Sequence, residues 1–175
     1  FLYDTRAHGE SEGDTVSFGK KEVLDLRAAI DWLESRPEVD RHRIGAFGFS
    51  IGGGTLAMEA SQDPRIAAMV FASSPNGLFD LSIDEGGIFP WGQAHLKLLI
   101  LLMAGVNGYE LDYGKSFKKL NHRPILLIQG ELDKGVSLRQ ANRIFAQASD
   151  PKSMILLPHT GHGHYFQSED AALYI

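Results

Sequence analysis

Short apolar segments alternate along this chain with longer segments of helical periodicity, and this alternation constrains the fold strongly. The apolar runs lie at residues 44–49, 66–72, 125–129 and 154–157. Parallel strands need a crossover connection, and a helix is the usual crossover. The alternation therefore predicts an α/β fold, a mostly parallel sheet flanked by helices. Helices are predicted at residues 20–35, 52–61 and 138–148, with the start of another at Ser168.

The remaining segments fit one domain, residues 1–175, that contains an insertion. Residues 1–3 are apolar and are predicted to be the end of a buried strand, and a polar, glycine-rich loop follows them. Residues 75–119 contain glycines, aromatic residues and an apolar segment, and we predict that they are partly helical. Residues 76–119 are expected to form a short cap over the functional site.

Composition narrows the classes of function. The formal net charge of −5 at pH 7 does not favour binding to nucleic acid or to an anionic membrane. The chain has no cysteine, which excludes thiol catalysis and fits a reducing compartment, so a cytoplasmic location is expected. The longest apolar stretch, residues 98–106, is shorter than the roughly 18 residues that a membrane span needs. No membrane span is therefore predicted.

Residues 48–52 read Gly-Phe-Ser-Ile-Gly, a G-x-S-x-G sequence where a predicted strand meets a predicted helix. In a nucleophile elbow the chain turns sharply at this junction and holds the serine in a strained conformation. Glycines on both sides of the serine remove Cβ atoms that would clash in the turn. Ser50 is therefore the predicted nucleophile. The backbone N–H of Ile51, at the helix N-terminus, is predicted to stabilise an oxyanion.

A serine hydroxyl is a poor nucleophile at neutral pH and needs a base, which a carboxylate then orients. Asp133 lies in the loop after the apolar run at residues 125–129, where it could reach a histidine. Glu131 is the rival, but it is nearer to the strand end. His162 follows the next apolar run, between glycines that would let its ring approach the serine. Ser50, Asp133 and His162 are thus the predicted catalytic residues.

The histidine-rich loop leaves alternatives open. His159 and His164 lie close to His162 in the sequence and could serve as the base instead. Residues 159–164 also resemble a metal-binding tract. No acidic or cysteine ligand motif accompanies this tract, so no metal site is predicted. Acyl transfer by a serine, a histidine and a carboxylate needs no cofactor, and none is expected.

Several motifs together resemble the α/β-hydrolase superfamily, in particular bacterial esterases and peptidase-like hydrolases. Residues 3–13 resemble the family loop D-x-R-G-x-G-x-S-x-G, with Ala7 where the family has glycine. Residues 37–45 resemble the turn into the elbow strand, residues 130–133 the G-x-x-D acid loop, and residues 161–163 the G-H-G base loop. A further likeness, to the family's helix start, involves Phe18, Gly19, Glu22 and Asp25.

The resemblance also implies a departure, because this chain matches the family only from its fourth strand onward. The family loop that supplies a second oxyanion N–H precedes that strand. The family's third strand lies between its fourth and fifth, so its removal would leave a gap of about 10 Å. We expect that the chain is a fragment or is incomplete at its N-terminal end. If it begins at Phe1, a homo-oligomer is expected to cover the exposed sheet edge.

These features predict a serine hydrolase of the carboxylesterase type that cleaves esters through an acyl-enzyme. The expected partner is a small acyl substrate, and Phe79, Phe89 and Trp91 of the insertion are candidates for lining its pocket. A thioesterase or a serine peptidase of the same fold remains an alternative. Another is a non-catalytic, hydrolase-like module for binding or association. The missing oxyanion loop favours that module, and the retained catalytic residues oppose it.

Overall fold

The computed structural model describes residues 1–84, 88–103, 105–163 and 165. Its sheet has the order β1-β2-β3-β4, and each neighbouring pair is parallel. The predicted α/β architecture, a parallel sheet with helices between its strands, is thereby confirmed. The strands are β1 (Ile44–Phe49), β2 (Ile66–Ala72), β3 (Ile125–Gly130) and β4 (Lys152–Leu157). The helices are α1 (Glu22–Glu34), α2 (Ile51–Ala60), α3 (Leu78–Asp84), α4 (Pro90–Met103), α5 (Gly114–Phe117) and α6 (Leu138–Gln147).

One face of the sheet forms the main core. Met69 and Phe71 of β2 and Leu127 of β3 are buried on this face, because alternate side chains of a strand point the same way. They belong to one apolar cluster with Leu56 of α2 and Ile144 of α6. Helix α2 packs against β1 and α6 against β3, which fixes the loops at the carboxyl ends of these strands.

Helices α3, α4 and α5 all lie in the segment between β2 and β3, as expected for a partly helical insertion. Helices α3 and α4 pack together, and Ala94 and Leu98 of α4 are fully buried. Other apolar residues of α4 remain exposed, including Leu99, Ile100 and Met103. None of the helices within the described residues has both the length and the apolar character needed to cross a membrane.

The predicted strand at residues 1–3 is wrong. These residues have no strand conformation, and Phe1 instead stacks on Trp32 of α1 with 4.5 Å between the ring centroids. Within the described sheet, β1 pairs with β2 alone. Residues 1–3 and the side of β1 that bears Phe47 and Phe49 line a common cavity of about 470 Å³. A strand needs a neighbouring strand to bond its backbone N–H and C=O groups. Because the cavity lies between residues 1–3 and β1, these residues have no such neighbour on that side.

The loop before α1 is held against that helix by an ion pair. Arg6 Nη2 lies 2.6 Å from Asp25 Oδ1, and Arg6 Nε donates to the same carboxylate at 2.9 Å. The next residue, Ala7, has a φ of 59°, in the left-handed region. A glycine adopts this region without steric cost, so the local backbone has the shape that the family pattern implies.

Candidate active site

Ser50 alone connects strand β1 to helix α2. Its φ of 51° and ψ of −126° lie outside the regions that residues with a Cβ normally adopt. The N–H of Ser50 donates to the C=O of Ala72 at 2.9 Å, and its own C=O accepts the N–H of Gly53 at 2.9 Å. The backbone is therefore held on both sides of a strained residue, an arrangement that is common at functional sites.

The glycines around Ser50 have unequal roles. A Cβ on Gly48 would lie 2.6 Å from the Cα of Gly53, so strand and helix approach closely only with glycine at position 48. Gly52 has open space at its Cβ position, contrary to the expectation for the second motif glycine. The clash falls on Gly53 instead, where a Cβ would lie 1.7 Å from Ser74 Oγ. The reason is that Gly53 is on the buried face of α2, whereas Gly52 is exposed.

Ser50, His162 and Asp133 form one hydrogen-bonded row. Ser50 Oγ lies 3.1 Å from His162 Nε2, and His162 Nδ1 lies 2.9 Å from Asp133 Oδ2. The Asp133 side chain is fully buried, whereas that of His162 is 34% exposed. At such distances a base can take a hydroxyl proton while a carboxylate orients the base.

Parallel strands bring these residues together, because their carboxyl ends meet at one edge of the sheet. Ser50 follows β1, Asp133 follows β3 and His162 follows β4. The two loops of the acid and the base are also joined directly, since the N–H of Leu132 donates to the C=O of Thr160 at 3.0 Å. Gly135 lets the imidazole approach, because a Cβ there would lie 3.1 Å from His162 Cγ. The sequence analysis did not identify Gly135.

The alternative acid and base residues either make no contact with this row or lie outside the described residues. Glu131 and His159 are exposed, and no described hydrogen bond joins either side chain to the row. His164 and the helix start predicted at Ser168 lie outside the described residues. In the described part of the chain, no group of three or more histidine and acidic side chains could hold a metal ion.

Further partners of Asp133 were missed by the sequence analysis. Asp133 Oδ1 accepts the backbone N–H groups of Gly135 at 2.9 Å and Val136 at 2.8 Å. Asp133 Oδ2 accepts the hydroxyl of Ser73, and the hydroxyl of Tyr165 lies 3.2 Å away. Position in the sheet could have indicated Ser73, because it directly follows β2, the neighbour of β3. Tyr165 follows His162 closely, and nothing in its motif marks it.

The Phe49 ring lies beside the rings of His162 and Tyr165. The Phe49 ring lies 5.1 Å from the His162 ring and 5.5 Å from the Tyr165 ring, measured between centroids. Burial raises the pKa of Tyr165 to about 12, so its hydroxyl remains protonated at neutral pH. Phe49, the residue before Ser50, thus lies beside both His162 and Tyr165, whose hydroxyl is close to Asp133.

The structure places the candidate pocket residues apart from this row. The Phe79 ring lies 5.7 Å from the Trp91 ring, and Phe89 and Trp91 are largely exposed. Phe79 borders a cavity of about 480 Å³ whose lining does not include Ser50 or His162. No described contact joins these aromatic residues to the row, so their role in an acyl pocket stays a prediction.

Comparison with known sequences gives a family. The sequence model of the X-Pro dipeptidyl-peptidase (S15) family matches residues 1–119, which include Ser50 but end before Asp133 and His162. The uncharacterized protein Rv2307c of Mycobacterium tuberculosis (strain ATCC 25618 / H37Rv) is 32% identical over 163 residues. That match covers 92% of this chain and 52% of the relative, so the chain spans about half of the relative's length.

Comparison with solved structures gives the fold. The α/β hydrolase GrgF from Penicillium sp. sh18 has a TM-score of 0.77 and 18% identity, with 99% of this chain and 75% of that chain covered. The Pyrococcus furiosus esterase Pf2001 has a TM-score of 0.70 and 26% identity, with 94% and 62% covered. Because the family match extends over most of the sequence, the chain belongs to the X-Pro dipeptidyl-peptidase (S15) family, within the α/β-hydrolase superfamily of serine hydrolases.

Proposed function

We propose that this chain carries the catalytic residues of a serine hydrolase that cleaves carboxylic esters. The observation that supports the proposal is the continuous row from Ser50 Oγ through the His162 ring to the Asp133 carboxylate, with contacts of 3.1 Å and 2.9 Å. His162 takes the Ser50 proton as the serine oxygen attacks the ester carbonyl and then protonates the leaving alcohol. Asp133 orients the imidazole and stabilises its charged form. A water molecule, activated by His162, releases the acid.

The oxyanion that forms in each step needs hydrogen-bond donors. Ile51 is the first residue of α2, and the first N–H groups of a helix have no partner within the helix. The positive end of the helix dipole also lies there. We assign the N–H of Ile51 as one oxyanion donor, a contribution of about 3 kcal/mol to transition-state stabilisation.

Hydrolysis of p-nitrophenyl acetate by Ser50→Ala tests the proposal. Loss of the nucleophile is expected to lower kcat by a factor on the order of 10⁵. Ser61→Ala is the matched control, because Ser61 ends the same helix and its hydroxyl bonds only the C=O of Met58 among the described residues. Turnover by Ser50→Ala equal to that of the wild type would rule out the proposed nucleophile.

A peptidase is the second candidate, and the S15 family match supports it. A dipeptidyl-peptidase must bind the α-ammonium group of its substrate, for which carboxylates are suitable partners. In the described part of the insertion, however, every carboxylate already has a cationic partner. The pairs are Asp80–Arg143, Asp84–Arg139, Glu110–Lys20 and Asp112–Lys115. This pairing favours an uncharged ester over a peptide with a free amino terminus.

The two candidates are separated by comparing kcat/KM for p-nitrophenyl acetate with that for an X-Pro p-nitroanilide. We expect the ester to be the better substrate. A higher kcat/KM for the anilide, abolished by Ser50→Ala, would replace the ester assignment with the peptidase while retaining the nucleophile.

A further inference from the structure

A chain of hydroxyl groups ends on Asp133 Oδ2, which at 2.9 Å is the nearer of the two carboxylate oxygens to His162 Nδ1, Oδ1 being 3.1 Å away. The N–H of Gly130 donates to the hydroxyl oxygen of Tyr165 at 2.5 Å, and that oxygen lies 2.5 Å from Ser73 Oγ. The Ser73 hydroxyl in turn contacts Asp133 Oδ2. The same oxygen lies 2.9 Å from His162 Nδ1, so the chain and the imidazole share one acceptor atom.

Donor and acceptor chemistry fixes the direction of the first and last protons in this chain. A backbone N–H only donates, so the Tyr165 oxygen must accept from Gly130 and direct its own proton elsewhere. An ionised carboxylate only accepts, so the Ser73 proton must point to Asp133. The Tyr165 proton then has two acceptors within reach, Ser73 Oγ at 2.5 Å and Asp133 Oδ2 at 3.2 Å, and we assign it to the nearer one, Ser73 Oγ. Hydrogen bonds aligned in this way polarise one another, and the final donor is strengthened.

The chain is isolated from solvent and held in place. Ser73 is fully buried and Tyr165 is 4% exposed. Ser73 has a φ of 48°, a left-handed conformation that is unfavourable for serine, and its N–H donates to the C=O of Ile128 at 2.9 Å. The sheet thus imposes a strained backbone on the residue whose hydroxyl reaches Asp133.

We propose that Ser73 and Tyr165 are positioning residues that fix Asp133 Oδ2 and limit the negative charge it presents to His162. This inference rests on the proposed function, since it assigns these residues a role in the same acyl transfer. Without the hydroxyl donor, the charge on Oδ2 is less delocalised and attracts the protonated imidazole more strongly. His162 then holds its proton more tightly. A larger fraction of the imidazole is already protonated near neutral pH, and that fraction cannot accept the proton of Ser50.

Ser73→Ala and Tyr165→Phe test this role through the pH dependence of hydrolysis. Ser73→Ala keeps the Cβ and removes only the hydroxyl, and Tyr165→Phe keeps the ring that packs on Phe49. We expect the acid limb of kcat/KM to move to higher pH by about one unit in Ser73→Ala, the effect of one lost charge-assisted hydrogen bond. The same shift lowers kcat/KM about tenfold at pH values below the limb and leaves the plateau at higher pH nearly unchanged, and we expect Tyr165→Phe to move the limb in the same direction by less.

The neighbouring serine supplies a matched control. Ser74 is also buried, but its hydroxyl has no hydrogen-bond partner among the described residues. Ser74→Ala should therefore leave the pH profile in place. Tyr113→Phe is the control for the tyrosine, because Tyr113 is fully buried and its hydroxyl donates to the C=O of Phe18 at 2.7 Å, outside this network. It should lower stability without moving the acid limb.

The imidazole titration measured by NMR separates this inference from the proposed function. In the Ser50→Ala background, which has no turnover under the proposal, Ser73→Ala should raise the midpoint of the His162 titration by about one pH unit. A folded Ser73→Ala protein with an unmoved midpoint and an unmoved acid limb would overturn the positioning role. Absence of hydrolysis by the wild type, with the midpoint still raised, would instead refute the ester proposal and leave the interaction established.

Discussion

Ser50 and Ala7 both have a left-handed backbone, and the consequences differ. At Ser50 the strained backbone holds the hydroxyl at the tip of the turn, 3.1 Å from His162 Nε2. Ala7, with a φ of 59°, lies in a loop that is closed by a hydrogen bond from its N–H to the C=O of Glu12 at 3.1 Å. In the described contacts, the strained backbone at Ala7 does not position Ser50, Asp133 or His162. Relieving this strain should therefore leave hydrolysis unchanged.

Ala7→Gly is expected to increase the free energy of unfolding by about 0.5–1 kcal/mol. The native conformation costs an L-residue more than this, but glycine also gains entropy in the unfolded chain, which offsets part of the benefit. Urea denaturation measures the change. Ala28→Gly is the control, because Ala28 is exposed inside α1 and its replacement should destabilise the helix by about 1 kcal/mol. Equal destabilisation by both changes would contradict the assigned backbone strain.

The individual residues differ in how far the sequence could predict them. Ser50, Asp133 and His162 each follow an apolar run, so strand order predicts that their loops lie at one edge of the sheet, and the surrounding motifs favour them over Glu131 and His159. Ser73 and Gly135 carry no motif. Strand order indicates only that Ser73 lies near the loop after β3; its contact with Asp133 depends on the register between β2 and β3, and the contact of Gly135 depends on how closely two loops approach.

The junction of β1 and α2 provides a test of how closely these elements pack. Gly48→Ala would place a Cβ 2.6 Å from the Gly53 backbone, so we expect the free energy of unfolding to fall by about 2 kcal/mol or more. Gly52→Ala meets open space and has a helical backbone, so we expect it to be neutral or to stabilise α2 by up to about 1 kcal/mol. Thermal denaturation compares the two variants. Similar losses in both would contradict the observed packing.

Strands and helices were predictable where burial and periodicity agree. The observed β1 and β2 have the predicted bounds, residues 44–49 and 66–72. Strand β4 starts earlier than predicted, at Lys152, because parallel pairing with Ile125 extends the ladder into residues that are not apolar. The strand prediction for residues 1–3 was wrong because their apolar character has another origin. Phe1 packs on Trp32 of α1, and residues 1–3 line a cavity without pairing to a strand.

Acidic side chains that accept hydrogen bonds in the folded chain make its stability depend on pH. Hydrogen bonds from Arg6 hold the pKa of Asp25 below its usual range, and those from Arg65 do the same for Asp63. Burial alone would raise the pKa of Glu22. Hydrogen bonds from Ser17 and Gly19 together lower it by more than burial raises it, so the net pKa is below the usual value. Each of these groups is easier to ionise in the folded chain than in the unfolded chain.

The free energy of unfolding should therefore decrease as the pH falls below about 4, the region where unfolded carboxyl groups titrate. Glu22→Gln is expected to lower it by about 1.5–3 kcal/mol at pH 7, because a buried, charged acceptor of hydrogen bonds is lost. The difference from the wild type should shrink as the pH falls through the lowered pKa of Glu22. Denaturant titrations at pH 7 and pH 3 measure this difference in the free energy of unfolding. Glu38→Gln is the control, because Glu38 is exposed. A difference that does not depend on pH would contradict the assignment.

The chain spans about half the length of the curated relative Rv2307c, and β1 is an edge of the described sheet. The family and the fold were predictable, since they rest on motifs spread along the sequence. The expected homo-oligomer stays a prediction, which light scattering over a range of concentrations can test. The substrate was less predictable, because no motif identifies the residues that would contact it.

Covalent reaction with a fluorophosphonate, mapped by peptide mass spectrometry, examines whether the three residues act as one catalytic unit. We expect a single adduct on Ser50, formed much more slowly in His162→Ala and absent in Ser50→Ala. Folded wild-type protein that leaves Ser50 unmodified, or that reacts at another serine just as fast, would contradict the proposed mechanism.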